Sequence, residues 1–161
     1  MKTIVLVRHA KSSWEFDVSD RERPLKKRGL NDANLVSKTF INNGFVPDII
    51  VSSPANRALS TCQIFMENLN LNKSLLIVQE DIYDFGGNSV INFVKNLSDE
   101  HSKLMLFGHN YAFTSIVNSY GNTMIDNMPT SGLVKINFNI DHWKDLKRGE
   151  TEKMIFPRDL K

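Results

Sequence analysis

Apolar residues along this chain gather into short unbroken runs, and between the runs they recur at three- to four-residue intervals. Ile4-Val5-Leu6-Val7, Ile49-Ile50-Val51 and Leu104-Met105-Leu106-Phe107 have strand length and no polar alternation, which predicts strands covered on both faces. Leu75 to Val78 reads as a further short strand. Helical spacing fills the gaps. Leu30, Ala33, Val36 and Phe40 form one stripe after Pro24, stopped by Asn43-Gly44 and Pro47. From Ala55 a second stripe runs through Ala58, Cys62, Phe65, Met66 and Leu69. A third takes in Val90, Ile91, Val94 and Leu97 behind a cap at Asn88, and a fourth runs from Phe113 to Tyr120, closed by Gly121. Strands alternating with helices predict an α/β fold whose core strands pair in parallel.

The chain between Leu133 and Ile140 is patterned differently. Ile136, Phe138 and Ile140 alternate with Lys135, Asn137 and Asn139, so one face is expected to be buried and the strand to lie at an edge. The segment Asn122 to Gly132 before it reads as a loop. Trp143 to Pro157 completes the chain, with room for one more weak strand.

Three of the apolar runs end in chemistry. The first passes into Arg8-His9-Ala10, the second into Ser52-Ser53-Pro54-Ala55-Asn56-Arg57, and the third into Gly108-His109. In open α/β sheets ligands bind beyond the ends of the strands, so two histidines and two arginines there are candidates for one site. Lys11 to Pro24 reads as a loop over the first strand end that could help form the site.

These three stretches together resemble the histidine phosphatase superfamily, the phosphoglycerate mutase-like enzymes. The family's R-H-G signature stands here as Arg8-His9-Ala10, its S-x-x-x-R-A-x-x-T segment as Ser53 to Thr61, and its G-H motif as Gly108-His109. Ala10 replaces the more usual glycine and is still small enough for a loop close to phosphate. Arg23-Pro24-Leu25, Arg28-Gly29 and Pro129-Thr130-Ser131-Gly132 look most like the small bacterial phosphohistidine phosphatases. The resemblance implies a three-layer α/β sandwich, its mainly parallel central sheet flanked by helices and carrying one antiparallel strand near the C-terminus. It also implies that His9 accepts the phosphoryl group on Nε2, and that His109 binds the phosphoryl oxygens.

Guanidinium forks match phosphoryl oxygens with charge-assisted hydrogen bonds, which makes Arg8 and Arg57 the expected clamp. Arg57 also stands near a helix start, where free N–H groups favour an anion. Clustered cations keep His9 neutral and able to attack. Relatives place a general acid after the third strand, and here Glu80, Asp81 and Asp84 are the candidates. A phosphoester leaves as a basic alkoxide and needs such an acid, whereas a phosphohistidine leaves as a readily protonated imidazole. The expected activity is therefore a phosphohistidine phosphatase acting on a histidine-phosphorylated signalling protein. A small-molecule phosphomonoesterase with the same site and a non-catalytic phosphate-binding module are the alternatives.

Composition narrows the classes further. A chain of 161 residues, 41% hydrophobic, is expected to form one domain spanning residues 1–161. Twenty Lys plus Arg against 18 Asp plus Glu give a formal charge of +2, which makes no case for nucleic-acid binding. No apolar run approaches the roughly 20 residues that span a bilayer, and the start of the chain shows no targeting pattern, so a cytoplasmic location is expected. Cys62, the single cysteine, reads as a small core residue. His101 and His142 read as solvated surface residues. The histidines lack metal-ligand spacing and no nucleotide loop is present, so neither a metal nor another cofactor is expected.

Overall fold

A computed structural model describes residues 1–161. Six strands form one sheet: β1 (Lys2–Arg8), β2 (Ile49–Ser52), β3 (Leu76–Val78), β4 (Lys103–Gly108), β5 (Leu133–Phe138) and β6 (Glu150–Ile155). Their spatial order is β3-β2-β4-β1-β5-β6. The pairs β1–β4, β4–β2 and β2–β3 are parallel, while β5 is antiparallel to both β1 and β6. Five strands thus point one way and β5 alone is reversed.

Alternate residues of the buried strands feed two cores. Val5, Val7, Ile50, Met105 and Phe107 pack against Val36 and Phe40 of α1 (Lys27–Phe40) and Cys62 and Phe65 of α2 (Asn56–Asn68). On the opposite face Ile4, Leu6, Val51, Leu104 and Leu106 meet Val90 and Val94 of α3 (Asn88–Lys95) and Phe113, Ile116 and Val117 of α4 (Ala112–Tyr120). Trp143, in a 3₁₀ turn after β5, seals this second core, its indole N–H donating to the His101 carbonyl at 2.8 Å. The result is the expected three-layer sandwich.

Three local expectations are corrected. Strand β5 is interior rather than an edge, because β6 covers its outer side. Its polar residues are matched by neighbours: Asn137 accepts from Thr3 Oγ1 at 2.9 Å and donates to Glu152 at 2.9 Å, while Lys135 lies 3.0 Å from Glu152. Leu30 is exposed, and it is Gly29 that faces inward on α1. Asn88 does not cap α3; Gly87 holds the cap position with φ +109°, and the Asp84 carboxylate accepts from the N–H groups of Gly86, Gly87 and Val90 at 3.0 to 3.1 Å.

Gly29 matters for the site because it lets α1 approach the loop after β1. A Cβ there would fall 2.2 Å from the Lys11 carbonyl oxygen. The same carbonyl accepts from Lys26 N–H at 2.9 Å, and Pro24 accepts from Ser13 N–H at 2.8 Å, so both ends of the loop are tied together. Gly29→Ala is expected to cost roughly 1–3 kcal/mol, as other insertions into close-packed sites do. Thermal unfolding measures this directly; an unchanged midpoint would show that the helix moves away freely.

Candidate active site

Backbone pairing at the end of the sheet brings the predicted residues to one rim. Arg8 lies beside Gly108 in the β1–β4 register. One step further, His9 N–H donates to the Gly108 carbonyl at 3.0 Å, and Ser53 N–H donates to that of Phe107 at 2.9 Å. Thr61 stitches the rim to α2: its Oγ1 accepts from Ala10 N–H at 2.9 Å and donates to the Arg57 carbonyl at 2.7 Å. From the other side Ser131 N–H bonds the carbonyls of both Arg8 and His9 at 3.2 Å. The His9 and His109 rings end 5.3 Å apart, centroid to centroid.

The hydrogen bonds select the tautomer of His9 and pair His109 with a serine hydroxyl. His9 Nδ1 lies 2.8 Å from the Ala10 carbonyl, which can only accept, so Nδ1 carries the proton and Nε2 keeps its lone pair. His109 Nε2 lies 2.7 Å from Ser53 Oγ. That hydroxyl also accepts from Ala55 N–H at 3.2 Å, and when it donates its own proton to Nε2 the ring proton of His109 stands on Nδ1. Burial, joined by the charges of Arg8 and Arg57, holds both histidines down to about 3 against an ordinary 6.5; for His9 the neighbouring His109 adds to this, and only the Ala10 contact works the other way. Both rings are neutral near pH 7.

The arginines are braced from behind. Arg8 donates through Nη1 to the Met128 carbonyl at 2.7 Å. Arg57 spans Asp20, with Nη1 on its backbone carbonyl at 2.7 Å and Nη2 on its carboxylate at 3.0 Å. What stays buried without a protein partner is Arg8 Nε, Arg23 Nε, Arg57 Nε, His109 Nδ1 and Ser131 Oγ. Polar groups of this kind are costly to bury unpaired, and such a set is suited to receiving a tetrahedral anion.

Residues 4–86 match the histidine phosphatase superfamily (branch 1). The chain belongs to the histidine phosphatase superfamily. An uncharacterised chloroplastic protein of Arabidopsis thaliana is 39% identical over 61 residues, a match spanning 37% of this chain and 28% of that relative's length. An uncharacterised Mycobacterium tuberculosis protein is 26% identical over 153 residues, covering 89% of this chain and 93% of its own. Among solved structures, the protein histidine phosphatase SixA complexed with tungstate superposes with a TM-score of 0.83 at 20% identity, over 99% of both chains.

In this member of the superfamily the three acids expected near the site are each engaged by another partner, although Asp84 stands between Tyr83 and Phe85, whose rings lie 5.1 Å from that of His109. Glu80 pairs with Arg21 at the surface, Asp81 accepts from Gln79 at 2.8 Å, and Asp84 caps α3. The carboxylate that does reach the arginine clamp is Asp20, on the loop after β1. It also accepts from the Tyr83 hydroxyl and lies 3.6 Å from Arg23 Nη1. Burial works to raise the Asp20 carboxyl, but the bonds from Tyr83 and Arg57 and the charges of Arg57 and Arg23 outweigh it and hold the group below the usual range. No three His, Cys, Asp or Glu side chains converge to hold a metal ion. Cys62 sits in the core as expected, its thiol pushed up to about 12 by burial. His142 is exposed and pairs with Asp99 at 2.9 Å.

A stability signature follows from the two neutral histidines. Between about pH 3 and 6.5 the unfolded chain binds protons that the folded rings refuse. Stability from this source is complete above 6.5 and is lost as pH falls toward 3, by at most about 1.4 kcal/mol per pH unit for each ring. Urea midpoints at pH 7, 5.5 and 4 should therefore fall steadily. They should fall less steeply in His9→Asn, whose amide can still donate to the Ala10 carbonyl; equal slopes would refute the assignment.

Proposed function

We propose that this protein is a phosphatase that hydrolyses phosphohistidine in a signalling protein through a covalent phosphohistidine on His9. The observation that carries the reading is the bond from His9 Nδ1 to the Ala10 carbonyl, which leaves Nε2 unprotonated next to the arginines and His109. Nε2 attacks phosphorus, the P–N bond to the substrate imidazole breaks, and the departing nitrogen takes a proton from solvent. Water then attacks phosphorus, loses a proton to solvent, and the P–Nε2 bond breaks to release inorganic phosphate and neutral His9. The unpaired donors Arg8 Nε, Arg57 Nε and His109 Nδ1 support a role in holding the phosphoryl oxygens and stabilising charge as it develops. Binding of tungstate, a tetrahedral oxyanion, by the SixA relative supports the same use of the site.

Glu80, Asp81 and Asp84 are each committed to another partner, namely Arg21, Gln79 and the start of α3, which supports a P–N over a P–O substrate, because an imidazole leaves without a strong acid. Arginine charge takes the part that a metal plays in other phosphatases, so the reaction is proposed to be metal-independent. The sheet runs from Lys2 to Ile155, consistent with one domain, and no helix is long and apolar enough to cross a membrane. We place the activity in the cytoplasm, where a lone buried thiol is at home. The test is a turnover screen of chelator-treated protein on phosphohistidine proteins and alkyl phosphomonoesters. Phosphohistidine should be turned over at least about 10-fold faster, in line with the cost of a missing acid. Faster ester hydrolysis would favour the phosphomonoesterase, no turnover at all the binding module, and activity restored only by a divalent ion would refute metal independence.

A further inference from the structure

We propose that Asp20 is the positioning residue and resident counter-anion of Arg57, setting how tightly the site holds phosphate so that product can leave. The inference rests on the reading of Arg57 as a phosphoryl clamp. Its basis is the way Asp20 meets the cations. Both terminal nitrogens of Arg57 end on this one residue, at 2.7 Å on its carbonyl and 3.0 Å on its carboxylate. Of its three guanidinium nitrogens only Nε is buried with no partner. A fork held at two points cannot swing, so the free Nε–H is fixed in direction before any anion arrives.

The same carboxylate sits between two guanidiniums. Its other oxygen lies 3.6 Å from Nη1 of Arg23, whose guanidinium is buried with its carbon 3.4 Å from the centroid of the Trp14 ring. Tyr83 adds a hydroxyl donor from the far side of the chain. With both histidines neutral, Arg8 and Arg57 bring positive charge to the site and Arg23 stands behind them, while Asp20 is the carboxylate in direct contact with the clamp; Asp84 acts on His109 from the start of α3, and Arg21 is paired with Glu80. Asp20 thus offsets part of the cationic charge that an incoming phosphoryl dianion meets. Without the acid the site would hold phosphate more tightly in the ground state, and product release would slow turnover.

An acid that merely anchors its loop makes a different prediction from one that sets the charge. Loss of an anchor loosens the site and weakens anion binding. Loss of a counter-anion, with geometry kept, strengthens it. Asp20→Asn keeps an oxygen for Arg57 and removes the charge. Inorganic phosphate, measured by calorimetry and as a competitive inhibitor, should bind about 3- to 30-fold tighter, the scale of one unit charge acting on a dianion through a partly solvated path. kcat should fall while kcat/KM holds or rises. Asp20→Glu retains the charge and should keep the phosphate Kd within about threefold of the parent's, as expected if charge dominates. Asp20→Ser removes the side-chain contact to Arg57 together with the charge, and phosphate binding tighter in Asp20→Asn than in Asp20→Ser separates the charge from the anchor. Equal or weaker phosphate binding in folded Asp20→Asn overturns the inference. Arg57→Ala separates the two levels: if it binds phosphate as well as the parent, the clamp reading itself fails and this inference falls with it.

Discussion

His9→Ala should yield a folded protein that takes up no phosphoryl label and turns over roughly 10³-fold or more slowly than the parent, as expected when a nucleophile is removed. The ring contributes one hydrogen bond to a neighbouring carbonyl and none to the strands, which are paired through backbone groups. Its removal also relieves the burial of a group that the fold holds neutral, so far-UV circular dichroism and the unfolding transition should survive. The chemistry should not. Label trapped from a phosphorylated substrate should be acid-labile and base-stable and should map to the peptide holding His9. Competing nucleophiles are poorly placed: the Cys62 thiol is buried and held in its protonated form, and the Ser53 side chain is wholly buried. Label on Cys62, Ser53 or an aspartate, or parent-like activity in His9→Ala, would sink the mechanism.

The site residues were legible in the sequence because each stands at the end of a run whose pattern has one meaning. Four consecutive apolar residues before Arg8 fit a doubly buried strand, and the family motifs then name what the strand delivers. What was illegible lay where the pattern has two readings or none. Alternation in β5 describes half-burial, and half-burial is produced equally by solvent at an edge and by a polar ladder running from Thr3 through Asn137 to Glu152. Leu30 and Gly29 are consecutive in the chain and about 100° apart around the helix, so an apolar stripe can be drawn through either. Hydrophobicity favours leucine for the core, yet close approach to Lys11 demands the residue with no side chain. Asp20, Tyr83, Met128 and Ser131 reach the site from loops, which have no period to betray them. The motif contained Ser53 and Thr61 without disclosing that one orients His109 and the other ties Ala10 to α2. For Asp20 a signal existed in the Asp20 to Arg23 spacing, an i,i+3 pair of opposite charge, but surface turns carry such pairs routinely.

Arg57→Ala should slow turnover by about 10- to 100-fold or more, because charge-assisted hydrogen bonds are worth roughly 1.5–3 kcal/mol each and every 1.36 kcal/mol is tenfold in rate. The variant removes more than a donor. It leaves the Asp20 carboxylate without its nearest cation and facing the anion site, so repulsion adds to the loss. Asp20 keeps Arg23 and the Tyr83 hydroxyl as partners, and its side chain is 47% exposed, so water can take up the vacated positions and the fold should hold. Arg57→Lys tests geometry apart from charge. An ammonium restores one positive charge, but its three donors radiate from a single nitrogen and cannot reproduce the planar fork that spans Asp20 and aims Nε–H, so it should recover substrate affinity better than kcat. The nucleophile is intact in both variants. Label should still form on His9, more slowly, which distinguishes this failure from that of His9→Ala; absence of label in Arg57→Ala would mean that the arginine is needed for the attacking geometry itself, and an undiminished rate would remove it from the clamp.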